Sequence, residues 1–329
     1  MTGMEKLRAN SACRSNALRM GHCAPTVMQT LLDRLEWPAD AMVKAVGGLP
    51  GIGGPGECGG VLSPLMVLSL LDPPRPGSAD LPPSIALGQE YLRRFRELHG
   101  SVLCKEVGKN CMRCCYRAMV LSPPLLDDVV AHEEETGRHV DERAKTAHMH
   151  FLSALGRTEF HCAHRVLDQL ADIVTVTEEM RDAAAIFVGG MALTGSTCGA
   201  LAAGAMAMSA TVSGIERSLF RTLKMLVTMT FSVPRALRDP MNAFNPAIRT
   251  TTDLARWFGH AFGSTRCADL TGADLSSPES VVGFCAGNGL EACRERAGRV
   301  VAKVREMLAE EATRRPVGRQ DAGPGRAQV

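Results

Sequence analysis

Apolar residues recur at three- and four-residue intervals along most of this chain, the period of an amphipathic helix. Ala24 to Leu35 places Val27, Met28, Leu31, Leu32 and Leu35 on one face, and Pro38 closes the run. A short helix over Ala41 to Val46 stops at Gly47-Gly48. Cys58 to Leu71 is apolar on every side despite Pro64, and Pro73, Pro74, Pro76, Pro82 and Pro83 mark a surface loop. Ile85 to Leu98 is amphipathic, with Arg93, Arg94 and Arg96 on its solvated face. Ala131 to His150 is polar and charged and reads as a helical linker.

The same order then returns. His164 to Ile173 and Glu178 to Val188 are helices, the second stopped by Gly189-Gly190, and Cys198 to Val212 is apolar. An insertion follows, with a helical run over Glu216 to Val233 and a loop from Pro234 to Pro246. Asp253 to Phe262 and Ala292 to Ala312 complete the helices, and residues from Thr313 read as a disordered tail.

The cysteines repeat with the helices. Gly21-His22-Cys23-Ala24 returns as Phe160-His161-Cys162-Ala163. Each is followed, 35 or 36 residues on, by a second cysteine in Glu57-Cys58-Gly59-Gly60 or Thr197-Cys198-Gly199-Ala200. A third pair lies in His99-Gly100-Ser101-Val102-Leu103-Cys104 and Phe262-Gly263-Ser264-Thr265-Arg266-Cys267. The second-to-third distance is 46 residues in the first copy and 69 in the second, which locates the insertion. Repetition in fixed order marks an internal duplication. The fold class expected is all-α, a duplicated helical domain with a pseudo-twofold repeat. The first unit covers 1–130, the linker 131–150, the second unit 151–312 and the tail 313–329.

Bulk chemistry narrows the function. The 329 residues carry a formal net charge of +2 and 4% aromatics, which favours neither nucleic-acid binding nor a base-stacking surface. Met1 to Met20 has no apolar signal segment, and its Cys13 is placed in a mobile terminus. Twelve cysteines without a secretory signal point to a reducing cytoplasm, where thiols do redox or metal work. The stretch from Ala183 to Ile215 is uncharged, but its central glycines and Glu57 at the corresponding place favour a buried helical hairpin over a membrane span. Gly47 to Gly54 lacks the preceding strand and Gly-Lys-Ser/Thr ending of a phosphate loop.

In each copy the first cysteine opens an amphipathic helix and the second follows a glycine turn into an apolar one. Free amides and the helix dipole at such ends stabilise a thiolate. Cys58 and Cys198 are therefore expected to be the most acidic thiols. His22 and His161 precede the first cysteines and could lower a thiol pKa or ligate metal. His148, His150, His161 and His164 cluster in sequence, but their spread across the predicted linker argues against a designed site. Cys111-Met112-Arg113-Cys114 is the single Cys-x-x-Cys, a candidate dithiol or half metal site.

With this spacing the chain resembles, over most of its length and as two tandem units, the C-GCAxxG-C-C family of redox-active proteins. In the second unit Cys162, Cys198, Cys267 and Cys293 match, with Ala203 where the family prefers Gly. In the first unit Cys23, Cys58 and Cys104 match, with Gly60 replacing Ala and Ser63 replacing Gly. Its fourth position falls among Cys111, Cys114 and Cys115, and Cys115 is chosen because Tyr116 to Val120 continues the apolar pattern. The resemblance implies a small helical domain with a redox role. A c-haem cytochrome similar to this family needs Cys-x-x-Cys-His; here Cys115 follows Cys114, so covalent c-type haem is not expected.

The leading expectation is thiol/disulfide or electron-transfer chemistry through Cys162, Cys198, Cys267, Cys293, Cys23, Cys58, Cys104 and Cys115, with an unidentified redox partner. The alternatives are an iron–sulfur or zinc module built on the same thiols, or a non-catalytic accessory protein associated with small-solute transport. No nucleic acid and no membrane span are expected, and a homo-oligomer is left open.

Overall fold

The computed structural model describes residues 3–20, 22–38, 40–50, 56–75, 80–108, 112–132, 141–212, 220, 223 and 245–314. Among them the chain is all-α and contains no strand, only two isolated β-bridges. Cys111, the Glu216 to Val233 run and all of the tail beyond Arg314 fall outside the described residues, apart from Phe220 and Leu223.

The first half runs α1 (Gly3–Met20), α2 (Cys23–Arg34), α3 (Asp40–Ala45), α4 (Gly59–Leu71), α5 (Pro83–His99), α6 (Cys104–Gly108) and α7 (Met112–Ala131). The second runs α8 (Glu142–Arg157), α9 (Cys162–Leu170), α10 (Glu178–Ala184) with a 3-10 turn over Ala185–Phe187, α11 (Gly199–Val212), α12 (Pro246–Phe262), α13 (Cys267–Thr271), α14 (Pro278–Ala286) and α15 (Gly289–Arg314). Residue 150, the expected end of the linker, lies inside α8.

Two helices are apolar all round and form the centres of the halves, as such helices must in water. Every residue of α4 from Gly59 to Leu70 is buried, as is α11 from Gly199 to Ser209. In the first half α2, α5 and α7 pack around α4; in the second α9, α12 and α15 pack around α11. The halves also exchange short helices: α10 packs on α4, and α3 packs on α11. Equivalent positions meet between them, because the buried Glu57 carboxylate accepts bonds from the Ser196 hydroxyl, the Thr197 amide (3.1 Å) and the Thr197 hydroxyl (2.7 Å). The uncharged stretch from Ala183 is thus a turn and core helix, and among the described residues no helix is long and apolar enough to cross a membrane.

Prolines inside helices are compensated by side chains. Pro64 has no amide to bond the Gly60 carbonyl one turn earlier; the Tyr91 hydroxyl donates to that carbonyl at 2.6 Å. Pro123 likewise leaves the Met119 carbonyl open within α7, and the Cys13 thiol points to it at 3.6 Å.

This last contact corrects the reading of the N-terminus. Cys13 is fully buried, and burial raises its thiol from 9.0 to about 11. Asn16 beside it bonds Thr30 and Asp33, which fastens α1 to α2. The mobile terminus expected for Cys13 is replaced by a packed helix.

Candidate functional site

Each half gathers its cysteines by the same local device. In the first, Glu57 and Leu103 form an antiparallel bridge; in the second, Thr197 and Arg266 do. The Cys58 amide donates to Val102 O at 2.8 Å and the Cys104 amide to Gly56 O at 3.0 Å. Their counterparts are Cys198 to Thr265 O at 2.8 Å and Cys267 to Ser196 O at 2.6 Å. The bridge therefore sets the start of the core helix beside the start of the next short helix. Even the supporting turn repeats: Gly100 and Gly263 end α5 and α12 with φ of 78° and 83°. Ser101 and Ser264 follow, bonding Glu106 and Asp269 (2.8 Å for the second pair).

The first cysteine of each half, at the start of α2 or α9, closes on the same point. A Cβ at Gly59 would lie 2.5 Å from Cys23 Sγ, and one at Gly199 would lie 2.6 Å from Cys162 Sγ. Only glycine after the second cysteine lets the first sulfur come so near.

In the second half Cys162, Cys198, Cys267 and Cys293 line one cavity of about 30 Å³, with Phe151, Phe160, Leu270 and Arg296 among its other walls. The turn above it runs left-handed through five consecutive residues. Gly189, Gly190, Met191, Ala192 and Leu193 have φ between 52° and 74°. Such backbone costs about 1–2 kcal/mol for each non-glycine residue, so the surrounding structure must impose it. A Cβ at Gly190 would stand 2.7 Å from the Cys267 Cβ.

In the first half Cys23, Cys58, Cys104 and Cys115 all act electrostatically on one another, as the second-half set does. Cys115 thus joins its set, while Cys114 is exposed. No disulfide links cysteines among the described residues.

Burial, more than the helix end, governs acidity. It lifts Cys58 from 9.0 to about 12, reinforced by Cys104 and opposed by the Gly60 amide. It raises Cys104 to about 11 and Cys23 well above 9.0, each pushed further by neighbouring thiols. Burial also dominates at Cys162 and Cys267, both well above 9.0, and takes Cys293 to about 11. The expectation that helix ends make Cys58 acidic is overturned, because its site is sealed. Cys198 is raised by burial too, but the amides of Leu201 and Ala200 and the Arg296 charge oppose this.

Arg296 is the residue the sequence reading missed. Its Nη1 lies 3.6 Å from Cys293 Sγ and its Nη2 donates to Leu270 O at 3.3 Å. Its Nε is buried without a hydrogen-bond partner, and its guanidinium stands 5.6 Å from the Phe262 ring centre. It favours the thiolates of Cys198, Cys267 and Cys293. The equivalent place in the first half, three residues after Cys115, is the buried Ala118. The available signal was the i, i+3 spacing from Cys293, which puts both on one helix face.

Four of the histidines are buried or held by backbone contacts. His161 caps α9: its Nδ1 accepts from the His164 amide at 3.2 Å and its Nε2 meets Ala185 O at 3.1 Å. Burial holds it neutral, with a pKa well below 6.5. His22 is buried with a pKa of about 4, and its Nδ1 has no partner because Pro25 lacks the amide that His164 supplies. His164 is also held, with Nε2 3.0 Å from Arg181 O, and His148 is buried with a pKa of about 4.

Among the described residues no group of three or more His, Cys, Asp or Glu is arranged to hold a metal ion. In the second half Arg296 already sets a positive charge beside the thiols.

Fold and site together define an all-helical, tandemly duplicated protein with a four-thiol cluster in each unit. The sequence profile described as "Putative redox-active protein (C_GCAxxG_C_C)" matches residues 21–122 and 160–308, and the chain belongs to that family. No curated protein and no solved structure matches the chain.

Proposed function

We propose that this protein is a thiol/disulfide redox protein, working in a reducing cytoplasm, whose two cysteine quartets each cycle between dithiol and disulfide. The observation that carries the reading is the gathering of Cys162, Cys198, Cys267 and Cys293 on one small cavity, although they span 131 residues of sequence. The first-unit set, Cys23, Cys58, Cys104 and Cys115, repeats the arrangement with the same bridge and the same glycine contact. The units are related by an axis near Glu57 and Thr197, where equivalent positions touch.

In the oxidising direction a thiolate attacks a disulfide or other two-electron oxidant, and a neighbouring thiol displaces the product to close a protein disulfide. Cys198 suits the first role, since helix amides and Arg296 both favour its anion. A thiol of the same quartet suits the second. In the reverse direction a partner dithiol reduces the protein disulfide and is itself oxidised.

Equilibration against graded dithiothreitol mixtures under argon, with thiols counted after acid quench, tests this. The reading expects reversible loss of thiols in pairs with a two-electron slope. Loss of single thiols, or none across the whole range, would remove it.

A further inference from the structure

The two quartets share their geometry but not their charge, and this difference bears on what each can reduce. The second-unit cavity has a guanidinium in its wall; the first unit has Ala118 at that place. Arg296 directs Nη1 toward Cys293 Sγ and Nη2 toward Leu270 O, which leaves Nε as a buried donor with nothing to bond. A buried unpaired donor is costly, and such groups in a native structure call for an explanation. A small ligand carrying an acceptor oxygen supplies one.

Size limits that ligand. A cavity of about 30 Å³ has room for one or two water-sized groups. Hydrogen peroxide is of that size. Apart from Arg296 and Thr271 the lining residues are apolar or thiol-bearing, so a small uncharged molecule enters more readily than a hydrated ion.

We propose that the second-unit cavity is a site for reduction of small hydroperoxides, with Arg296 as the group that receives the peroxide oxygens. The proposal rests on the thiol redox reading and names the substrate class of one of its two clusters. The Cys198 thiolate attacks one peroxide oxygen. A sulfur–oxygen bond forms, the O–O bond breaks, and the departing oxygen takes up the proton released by the Cys198 thiol and leaves as water. Cys198 is then a sulfenic acid. The Cys293 sulfur attacks the Cys198 sulfur, a disulfide forms, and hydroxide leaves as a second water with the Cys293 proton. Two thiols lose two electrons and hydrogen peroxide gains them. Arg296 lies 3.6 Å from the Cys293 sulfur, lines the same cavity as Cys198, and holds charge that builds on the breaking O–O bond.

The test uses the full chain, reduced and held under argon, mixed with one equivalent of hydrogen peroxide and quenched with an alkylating agent for peptide mapping. The expected result is a Cys198–Cys293 disulfide, with Cys23, Cys58, Cys104 and Cys115 still alkylated as thiols. Arg296→Gln should slow the reaction by about tenfold or more, the order expected for a lost charge-assisted hydrogen bond. Bulky cumene hydroperoxide should react more slowly than hydrogen peroxide. Equal oxidation of both quartets in the unaltered chain overturns the proposal, and that comparison needs no variant to fold. An unchanged rate in a folded Arg296→Gln protein overturns it as well. Oxidation by the azo compound diamide separates the two levels of argument. Disulfides within the quartets from diamide but none from peroxide leave the thiol reading standing and remove the peroxide site. Their absence with both oxidants removes both.

Discussion

Raising pH above 9 should steeply destabilise this protein. Four thiols carry the effect most plainly: buried Cys58, raised to about 12, and buried Cys13 with half-buried Cys104 and Cys293, each raised to about 11 from 9.0. The folded chain keeps these protons longer than the unfolded one does. Below about pH 9 both states are protonated and stability is at its full value. Above it the unfolded chain binds fewer protons, so stability falls until the folded-state values are reached. One pKa unit corresponds to about 1.4 kcal/mol, so Cys58 accounts for about 4 kcal/mol and each of the others for about 3. Between pH 9 and 11 the four together give a slope of about 5 kcal/mol per pH unit. Cys23, Cys162 and Cys267 act in the same direction. Over the two pH units above 9 the four together amount to about 11 kcal/mol, comparable with the whole stability of a typical domain. Urea unfolding followed by far-UV circular dichroism, with reductant present, measures this directly, and Cys58→Ser should visibly reduce the slope. An unfolding free energy that stays flat between pH 8.5 and 10 would refute the claim that burial controls these thiols.

Other expectations follow from single contacts. Tyr91→Phe should lower stability by about 1–3 kcal/mol, because the Gly60 carbonyl loses its donor; with Pro64→Ala present, which restores an amide, the same change should cost far less in a double-mutant cycle. Gly199→Ala should force Cys162 Sγ and the Phe187 carbonyl away from a new methyl group 2.6 and 2.5 Å distant, lowering the melting temperature and exposing Cys162 to alkylation. Exposed Cys114 should alkylate first among the described cysteines at neutral pH, ahead of buried Cys13 and Cys58 and half-buried Cys104, as timed mass spectrometry would read.

Much of the fold was legible because the chain repeats. The helical period found the two core helices, and the cysteine order, with the apolar pattern after Cys115, singled out the eight cysteines that fall into two sets in the fold. What escaped depended on distant partners. α1 is polar along most of its length, and the buried positions of its second half, Cys13, Asn16 and Met20, make sense only against α2 and α7. Pro123-Pro124 locally argues for a break, yet α7 continues through them. The start of α12 at Pro246 was within reach, since Asn245 caps it and a first-turn proline is a helix-start signal. It was read as the end of a loop. The acidity of Cys58 was misjudged because a helix end is visible in sequence and the sealing of the site is not. Arg296 escaped because nothing marks one arginine in α15 among its neighbours until the fold sets it against the cavity.

The central claim is that each quartet is one redox unit. Mild anaerobic oxidation of the full chain with diamide, followed by non-reducing peptide mapping, tests it most directly. The account predicts disulfides confined within Cys162, Cys198, Cys267 and Cys293 and within Cys23, Cys58, Cys104 and Cys115. Disulfides that mainly join one quartet to the other, or that form through Cys114 while the quartets stay reduced, would contradict it.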